Sequence, residues 1–172
     1  MFKELNILKF FFEDPNREFN IREIAKIAQI SPATASKLLK EFKKNKILQY
    51  RKERVFDLYK ADLNSIEYRD LKIYYNVKKL REFIDALNEF YLKPTIILFG
   101  SFSKGLDIKQ SDIDLVIISE NTKEFPNLKI FEKKLNREIQ IFAVKNLKNL
   151  KNNHLINNVL NGIILQGEVK WI

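Results

Sequence analysis

The spacing of apolar residues in the first third of the chain predicts three short helices. The first ends before Pro15, because proline cannot continue a helix. Asn20 is a suitable N-cap for the second, over residues 21–28, and Ser31-Pro32 starts the third with a capping residue and an N-terminal proline. The apolar positions lie at helical spacing in each: Leu5, Leu8 and Phe12; Ile21, Ile24, Ala25 and Ala28; Ala35, Leu38, Leu39 and Phe42.

A β-hairpin is predicted after the third helix, where the apolar spacing changes from helical to strand-like. Its strands lie at residues 49–51 and 55–59, on either side of a charged tip formed by Lys52, Glu53 and Arg54. The N-terminal part of the chain is therefore expected to consist of three helices and a hairpin.

One long helix is predicted over residues 65–92, and it stops at Lys93-Pro94 because the residue before a proline disfavours helical geometry. Its apolar residues are alternately four and three positions apart, as in the seam of a coiled coil. Two interpretations of the seam stay open: it joins two copies in a homodimer, or it packs on the C-terminal part of the same chain. The seam consists of Ile73, Val77, Leu80, Ile84, Leu87 and Tyr91.

Strand and helix patterns alternate in the remainder of the chain, and with the helical first part they predict an α/β (α+β) fold. Continuous or alternating apolar runs mark the strands, and wider apolar spacing marks the helices. The predicted strands cover residues 95–99, 113–118, 138–144 and a closing extended segment at 163–165, and the predicted helices cover residues 128–135 and 145–160.

The composition is that of an ordinary globular protein, with 45% apolar and 31% charged residues in a chain of 172. The absence of cysteine excludes disulfide bonds and thiolate metal sites. No apolar run approaches the roughly 20 residues that span a bilayer, and the N-terminus lacks the pattern of a signal peptide. We therefore expect a cytoplasmic location and no membrane partner.

The net charge of +9 is unevenly distributed along the chain. Residues 1–60 contain 14 Lys and Arg against 8 Asp and Glu, whereas residues 61–92 contain 5 against 6 and residues 93–172 contain 12 against 8. A basic excess in the N-terminal third is expected for a surface that faces nucleic-acid phosphates. The alternative is a general richness in lysine, which charge alone does not exclude.

The order helix, helix, helix, hairpin over residues 1–61 resembles the winged-helix DNA-binding domains, in which two of the helices form a helix-turn-helix. The resemblance implies that the third helix enters the major groove of DNA with its small leading residues, Thr34 and Ser36. The alternative is a domain of the same fold that serves only protein contacts or dimerisation. Basic residues on the helix and the hairpin would contact phosphates, namely Lys37, Lys40, Arg51 and Arg54.

A Gly-Ser pair and an Asp-x-Asp triplet are separated by ten residues, and each borders a predicted strand. Because Gly100 has no β-carbon, backbone N–H groups around Ser101 approach a phosphate closely. Asp112 and Asp114 are two positions apart, so they project from the same face of a strand. Paired carboxylates are hard oxygen ligands for Mg²⁺, which also keeps substrate phosphates as ligands. The pattern favours phosphoryl or nucleotidyl transfer.

This pattern, Gly100-Ser101 followed by Asp112-x-Asp114, resembles the signature of the DNA polymerase β-like nucleotidyltransferases. The small size and the intervening residues 102–105, Phe-Ser-Lys-Gly, resemble their minimal branch. The resemblance extends over residues 94–172. It implies a mixed sheet with flanking helices that binds ATP or another nucleoside triphosphate with Mg²⁺ or Mn²⁺. It also implies transfer of AMP to an acceptor, either a small molecule or a protein such as the partner toxins of the minimal branch.

The third carboxylate of the family, on a later strand, is missing from its expected position. When residues 138–142 are aligned on their apolar neighbours, that position is occupied by Gln140. Glutamine is uncharged and cannot take a proton from an attacking hydroxyl. Glu138 lies on the same face, displaced by about 6.6 Å along the strand, and is the rival third carboxylate. Lys104 is placed to neutralise the β- and γ-phosphates, or it is an ordinary loop lysine.

Together these patterns predict a winged-helix domain over residues 1–61, a connector helix over 62–93 and a nucleotidyltransferase-like domain over 94–172. Two functions stay open. In the first, the protein is a nucleotidyltransferase of the adenylyltransferase type coupled to DNA binding. In the second, it is a DNA-binding transcriptional regulator whose transferase domain is weak or inactive and acts as a nucleotide sensor or scaffold.

Overall fold

The computed structural model describes residues 2–169 and divides the chain into two compact units, with the boundary between Tyr75 and Asn76. The first part contains α1 (Phe2–Glu13), β1 (Phe19–Asn20), α2 (Ile21–Ile27), α3 (Pro32–Lys44), β2 (Leu48–Glu53) and β3 (Phe56–Ala61). The boundary falls within α4 (Ile66–Lys79). The second unit continues with α5 (Arg81–Tyr91), β4 (Thr95–Phe99), α6 (Gly100–Ser103), β5 (Ile113–Ile118), α7 (Leu128–Leu135), β6 (Ile139–Val144), α8 (Asn153–Leu160) and β7 (Ile163–Gln166).

The predicted helix caps of the first unit are confirmed. Asn20 Oδ1 accepts the backbone N–H of Glu23 at 2.9 Å, and Ser31 Oγ accepts that of Thr34 at 3.1 Å. Each bond satisfies a backbone donor that the first turn of a helix leaves without a partner. The buried core of this unit includes Phe11, Phe12, Ile24, Ala35, Leu39, Tyr59 and Tyr68.

The predicted hairpin is also confirmed, and it belongs to a three-stranded antiparallel sheet of order β1-β3-β2. β2 and β3 pair from Leu48 opposite Ala61 to Glu53 opposite Phe56. The short strand β1, which lies on the other side of β3, was not predicted. Two residues are too few to show an alternating pattern.

The single long helix predicted over residues 65–92 is wrong, because the structure has two helices that separate at Leu80. The N–H of Leu80 is shared between the carbonyls of Asn76 and Val77, both at 3.2 Å, which marks an irregular turn. The backbone of Leu80 keeps right-handed dihedral angles of −82° and −8°. The spacing of apolar residues therefore continues unchanged through the break, and the sequence gives no sign of it.

The seam along these helices packs within the second unit from Leu80 onwards. Leu80, Ile84, Leu87 and Tyr91 are buried in one core together with the residues of β4 and β5. The intrachain interpretation of this part of the seam is therefore correct. These four side chains are not available to join two copies of the chain.

The second unit is built on a mixed four-stranded sheet of order β6-β5-β4-β7. β4 pairs antiparallel with β5 and β7, whereas β5 pairs parallel with β6. One face of the sheet packs on α5, and the other carries a second core that includes Phe99, Val116 and Val159. The predicted α/β (α+β) fold with a mixed sheet and flanking helices is confirmed.

The helix predicted over residues 145–160 is wrong in its first half. Only Asn153–Leu160 is α-helical, and a 3-10 turn at Leu147–Asn149 precedes it. The side chain of Asn152 caps α8 by accepting the N–H groups of His154 and Leu155. Asparagine favours such local side-chain bonds over helix interiors. No helix among residues 2–169 is long and apolar enough to cross a membrane.

Candidate active site

The Gly-Ser pair forms the sharp turn that follows β4. Phe99 is extended, and Gly100 takes a positive φ of +73°, which suits glycine because it lacks a β-carbon. The single turn of α6 follows and is closed by Ser103 Oγ, which donates to the Gly100 carbonyl at 2.9 Å. The Ser101 carbonyl accepts the N–H groups of Lys104 and Leu106 at 3.1 and 3.0 Å. The chain therefore doubles back at the end of β4.

Gly100 lies directly against the second aspartate of the motif. A β-carbon added to Gly100 would stand 2.2 Å from Asp114 Oδ2, well inside contact distance. The strand register explains this approach, because Phe99 pairs with Asp114 across β4 and β5. The sequence suggested that this glycine lets a phosphate approach the backbone. The structure adds that the glycine makes room for a carboxylate.

The two aspartates are placed differently with respect to solvent. Asp114 is half-buried and Asp112 is exposed, whereas Ile113 and Leu115 are fully buried in the core, as predicted. Burial raises the pKa of Asp114 above its usual 3.8, and the negative charge of Asp112 raises it further. The carboxylates thus repel each other, and a divalent cation between them would relieve that repulsion. Two hard oxygen donors of this kind fit Mg²⁺ or Mn²⁺.

Gln140, which the alignment assigns to the third-carboxylate position, lies beside Asp114. Gln140 pairs with Asp114 in the parallel register of β5 and β6, and its side chain is exposed. Ile113 donates its N–H to the Glu138 carbonyl at 2.9 Å, so Glu138 precedes β6 just as Asp112 precedes β5. Within residues 2–169, no group of three or more His, Cys, Asp or Glu side chains is arranged to hold a metal ion.

A polar cleft of about 560 Å³ opens beside Asp112 and Glu138. On its α7 wall, Lys129 forms an ion pair of 2.7 Å with Glu132, which also accepts the N–H of Ile139. Both bonds lower the pKa of Glu132. The cleft therefore places Glu138, and not Gln140, in a common space with the first aspartate of the motif. The remaining lining residues are Lys109, Gln110, Ser111, Asn136 and Arg137.

The model of the nucleotidyltransferase domain family matches residues 77–164, which is more than half of the chain. The chain belongs to this family. The match begins at residue 77, and it therefore includes α5, which packs against the sheet and is part of the same unit. Nucleotidyltransferases in general use a nucleoside triphosphate and a divalent metal ion.

Two solved structures are similar to part of this chain. The crystal structure of a toxin–antitoxin with AMP-PNP is 24% identical and covers 54% of this chain and 74% of that chain, with a TM-score of 0.43. A protein described as a "possible transcriptional regulator" from Methanosarcina mazei Go1 is 20% identical and covers 51% of this chain and 72% of that chain, with a TM-score of 0.36. No curated protein matches the chain.

Three polar residues next to the nucleotidyltransferase motif were missed by the sequence analysis. Asp107, Arg137 and Asn76 are all buried, although their residue types are usually exposed. Asp107 accepts Asn76 Nδ2 at 2.8 Å and pairs with Arg137 at 3.5 Å. No local pattern shows this arrangement, since the three residues come from different parts of the chain. The only available hint was Asp107 itself, an acidic residue between two apolar ones.

The residues predicted to contact DNA all lie in the first unit, on α3 and the hairpin. Lys37, Lys40 and Arg54 are exposed, and Arg54 sits at the hairpin turn with a positive φ of +53°. The Thr34 hydroxyl is already bonded to Ser31 Oγ at 2.8 Å, and Ser36 is partly buried.

Arg51 differs from the other basic residues of this set because its guanidinium is already occupied. It donates two hydrogen bonds to Glu18, at 2.6 and 2.5 Å, and pairs with Glu53 at 2.5 Å. These two carboxylates raise the pKa of Arg51. A phosphate would have to compete with them for the guanidinium.

Proposed function

We propose that the second unit binds a nucleoside triphosphate, most simply ATP, together with Mg²⁺ or Mn²⁺. The observation that carries the proposal is the close approach of Gly100 to Asp114 at the end of β4. It brings the turn expected to hold phosphates next to the carboxylates expected to hold the metal. Asp112 and Asp114 supply oxygen ligands, and the turn at Gly100 and Ser101 supplies backbone N–H groups.

The chemistry proposed for this site is transfer of a nucleoside monophosphate to an acceptor hydroxyl. The bound metal would neutralise charge on the phosphates and orient them for in-line attack. Lys104 is exposed next to the turn, where its ammonium group would approach the β- and γ-phosphates. The acceptor is a protein, such as a toxin partner, or a small molecule with a free hydroxyl.

Transfer is proposed to be slow because the third carboxylate position holds Gln140. A neutral amide beside Asp114 cannot accept the proton of the attacking hydroxyl. Glu138 is the carboxylate nearest to this role, since it lines the cleft next to Asp112. The cleft is therefore the proposed place of the acceptor.

Isothermal titration calorimetry with a non-hydrolysable ATP analogue, with and without Mg²⁺, tests nucleotide binding. Wild type should bind in a Mg²⁺-dependent manner, and the double variant Asp112→Asn, Asp114→Asn should not. Glu120→Gln is the matched control, because Glu120 is an exposed carboxylate of the same unit that pairs with Lys145 at 3.2 Å. Equal binding by wild type and the double variant would refute the site.

The second proposed activity is binding of duplex DNA by the first unit, as a winged-helix domain. The observation that favours it is the capped helix α3, which exposes Lys37 and Lys40, next to a hairpin with the exposed Arg54. Because both proposed ligands, DNA and ATP, occur inside the cell, the proposed location of the protein is the cytoplasm. If nucleotide binds but no transfer occurs, the protein is a regulator whose transferase domain acts as a nucleotide sensor or scaffold.

Fluorescence anisotropy with duplex DNA from the protein's own promoter tests this second activity. The full chain should bind at low salt, and the double variant Lys37→Gln, Lys40→Gln should bind much more weakly. The matched control is Lys148→Gln, an exposed lysine of the second unit. Absence of binding by wild type at low salt would remove the DNA-binding proposal and leave nucleotide binding untouched.

A further inference from the structure

The segment between the two halves of the motif is held by buried side chains and not by regular secondary structure. Residues 104–112 contain neither helix nor strand. Asp107 of this segment and its partners Asn76 and Arg137 are only 1%, 2% and 8% exposed. Charged groups buried to this degree are costly unless they are paired and hydrogen-bonded. Here Asn76 and Arg137 supply the partners of Asp107.

Arg137 is bonded to three separate points of this segment. One guanidinium nitrogen, Nη2, approaches Asp107 Oδ2 at 3.5 Å. The other, Nη1, donates to the carbonyls of Ile108 and Ser111, the latter at 3.3 Å. The planar fork of an arginine suits such a set of acceptors, whereas a lysine presents a single point of charge.

Asn76 fixes the other end of the same segment. Its Nδ2 donates to the carbonyl of Phe102, in α6, at 2.9 Å and to Asp107 Oδ1 at 2.8 Å. Asp107 thus receives Asn76 on one oxygen and Arg137 on the other. The three side chains connect the turn after β4 with the start of β6, and the segment is held between them.

The last anchored atom lies immediately before the metal-binding motif. The Ser111 carbonyl, which accepts from Arg137, belongs to the residue that precedes Asp112. Ser111 also forms two hydrogen bonds with Ile108. The Ser111 N–H donates to the Ile108 carbonyl at 3.0 Å, and the Ile108 N–H donates to Ser111 Oγ at 2.9 Å. The backbone that carries Asp112 is therefore set by Arg137, while Asp114 is set by its place in β5 and its contact with Gly100.

We propose that Arg137 is a positioning residue that, through Asp107 and the Ser111 carbonyl, holds Asp112 beside Asp114 before a metal ion binds. This inference rests on the proposed nucleotide site. A ligand that is already in place need not be ordered when the metal arrives, so the affinity for the metal is higher. Arg137 itself is proposed to touch neither the metal nor the nucleotide.

The test is the Mg²⁺ dependence of nucleotide binding in full-length Arg137→Lys. The lysine keeps a positive charge for Asp107 but cannot serve both carbonyls. The Mg²⁺ concentration needed for half-maximal binding of an ATP analogue should rise about tenfold, the lower end of the effect that partners of metal ligands usually have. Arg81→Lys, the same exchange at an exposed position of this unit, is the control and should leave it unchanged.

Hydrogen exchange of the free protein provides a readout that does not depend on ligands. Amides of Ile108, Ser111 and Ile113 should exchange faster in Arg137→Lys, while those of β4 keep their protection. Asp107→Asn, which retains the shape of the side chain and removes its charge, should produce the same two changes. It also serves as the second variant if Arg137→Lys does not fold.

The outcomes separate this proposal from the nucleotide site on which it rests. If wild type binds no Mg²⁺-nucleotide, the proposed function fails, and faster exchange in the variants still supports the anchoring of the segment. A folded Arg137→Lys or Asp107→Asn variant with wild-type Mg²⁺ dependence overturns the positioning role. If neither variant folds, the network is needed for folding alone, and the positioning role is rejected.

Discussion

Gly100 and Asp114 are in such close contact that position 100 has no room for a side chain. A β-carbon there would lie 2.2 Å from Asp114 Oδ2, and the φ of +73° is strained for any residue with a β-carbon. The glycine therefore allows both the backbone conformation of the turn and the close approach of the Asp114 carboxylate. Replacing it should affect metal binding, although Gly100 itself is not a metal ligand.

Gly100→Ala is expected to destabilise the protein and to weaken Mg²⁺-dependent nucleotide binding. The left-handed backbone conformation alone costs about 1–2 kcal/mol for a residue other than glycine, and the added methyl group displaces the Asp114 carboxylate. Chemical denaturation measures the first effect and calorimetry the second. A double-mutant cycle with Asp114→Ala isolates the contact, since the alanine should cost less once the carboxylate is gone. Equal costs in the two backgrounds would contradict the contact.

The raised pKa of Asp114 predicts a pH dependence of stability. Because burial and Asp112 raise this pKa above 3.8, the folded protein binds a proton more readily than the unfolded chain does. Ionised Asp114 therefore lowers the free energy of unfolding at neutral pH. This loss should disappear as Asp114 becomes protonated, when the pH falls through its raised pKa to below about 4. Thermal unfolding without metal should show that Asp114→Asn is more stable than wild type at pH 7 and that the difference shrinks towards pH 4.

Mg²⁺ should make wild type more stable than Asp114→Asn at pH 7, because the cation stabilises the ionised carboxylates. Added Mg²⁺ is expected to raise the unfolding temperature of wild type more than that of Asp114→Asn, and more at pH 7 than at pH 4. Asp57→Asn, which removes a carboxylate from the first unit, provides the control for general ionic effects. A Mg²⁺ response that is the same in all three proteins would contradict a metal site at Asp114.

The sequence was sufficient for the parts of the site that depend on local order. Alternation predicted that Asp112 and Asp114 project away from the buried Ile113 and Leu115, and alignment on apolar neighbours assigned Gln140 to the third-carboxylate position. In the structure Gln140 pairs with Asp114. Such positions can be predicted because a strand converts sequence spacing directly into position. Gly100 was recognised for its missing side chain, although the neighbour that requires it became visible only in the pairing of β4 with β5.

The parts that the sequence did not show depend on distant residues. Arg137 and Asp107 are 30 positions apart, and buried polar residues look like exposed ones until the fold brings their partners together. The break at Leu80 likewise leaves no trace in the spacing of apolar residues. Conversely, the asparagines before α8 are a local signal against one continuous helix over residues 145–160.

The ion pairs of Arg51 predict unequal roles for the basic residues of the first unit in DNA binding. Lys37→Gln and Lys40→Gln should each reduce the magnitude of the slope of log affinity against log salt by about 0.9, as expected for a lost phosphate contact. Arg51→Gln should reduce it less, because this guanidinium is shared with Glu18 and Glu53. Anisotropy titrations at several salt concentrations measure the slopes. If Arg51→Gln reduced the slope more than the lysine variants do, Arg51 would have to release Glu18 and Glu53 and bind phosphate instead.

The pairing of Gln140 with Asp114 predicts that a single substitution restores the missing carboxylate. Gln140→Asp should raise the rate of nucleotidyl transfer, by up to the about 10²–10⁴-fold that general-base assistance usually provides. Nucleotide affinity should change little at saturating Mg²⁺, since Gln140 is not a proposed ligand. Pyrophosphate release from ATP is the measurement, because it accompanies transfer to any acceptor. A third negative charge also adds to the repulsion that already raises the pKa of Asp114, so the variant should need more Mg²⁺.

Glu138→Gln distinguishes the rival arrangement, in which the carboxylate of the cleft takes the proton. Glu138 lines the cleft together with Asp112, whereas Gln140 does not, so a hydroxyl bound in the cleft would lie closer to Glu138 than to Gln140. If Glu138 is the base, Glu138→Gln abolishes the activity of wild type, and adding Gln140→Asp restores part of it. The control is Glu120→Gln, which should leave the rate unchanged. Rapid turnover that survives Glu138→Gln and does not increase with Gln140→Asp would show that transfer at this site needs no third carboxylate.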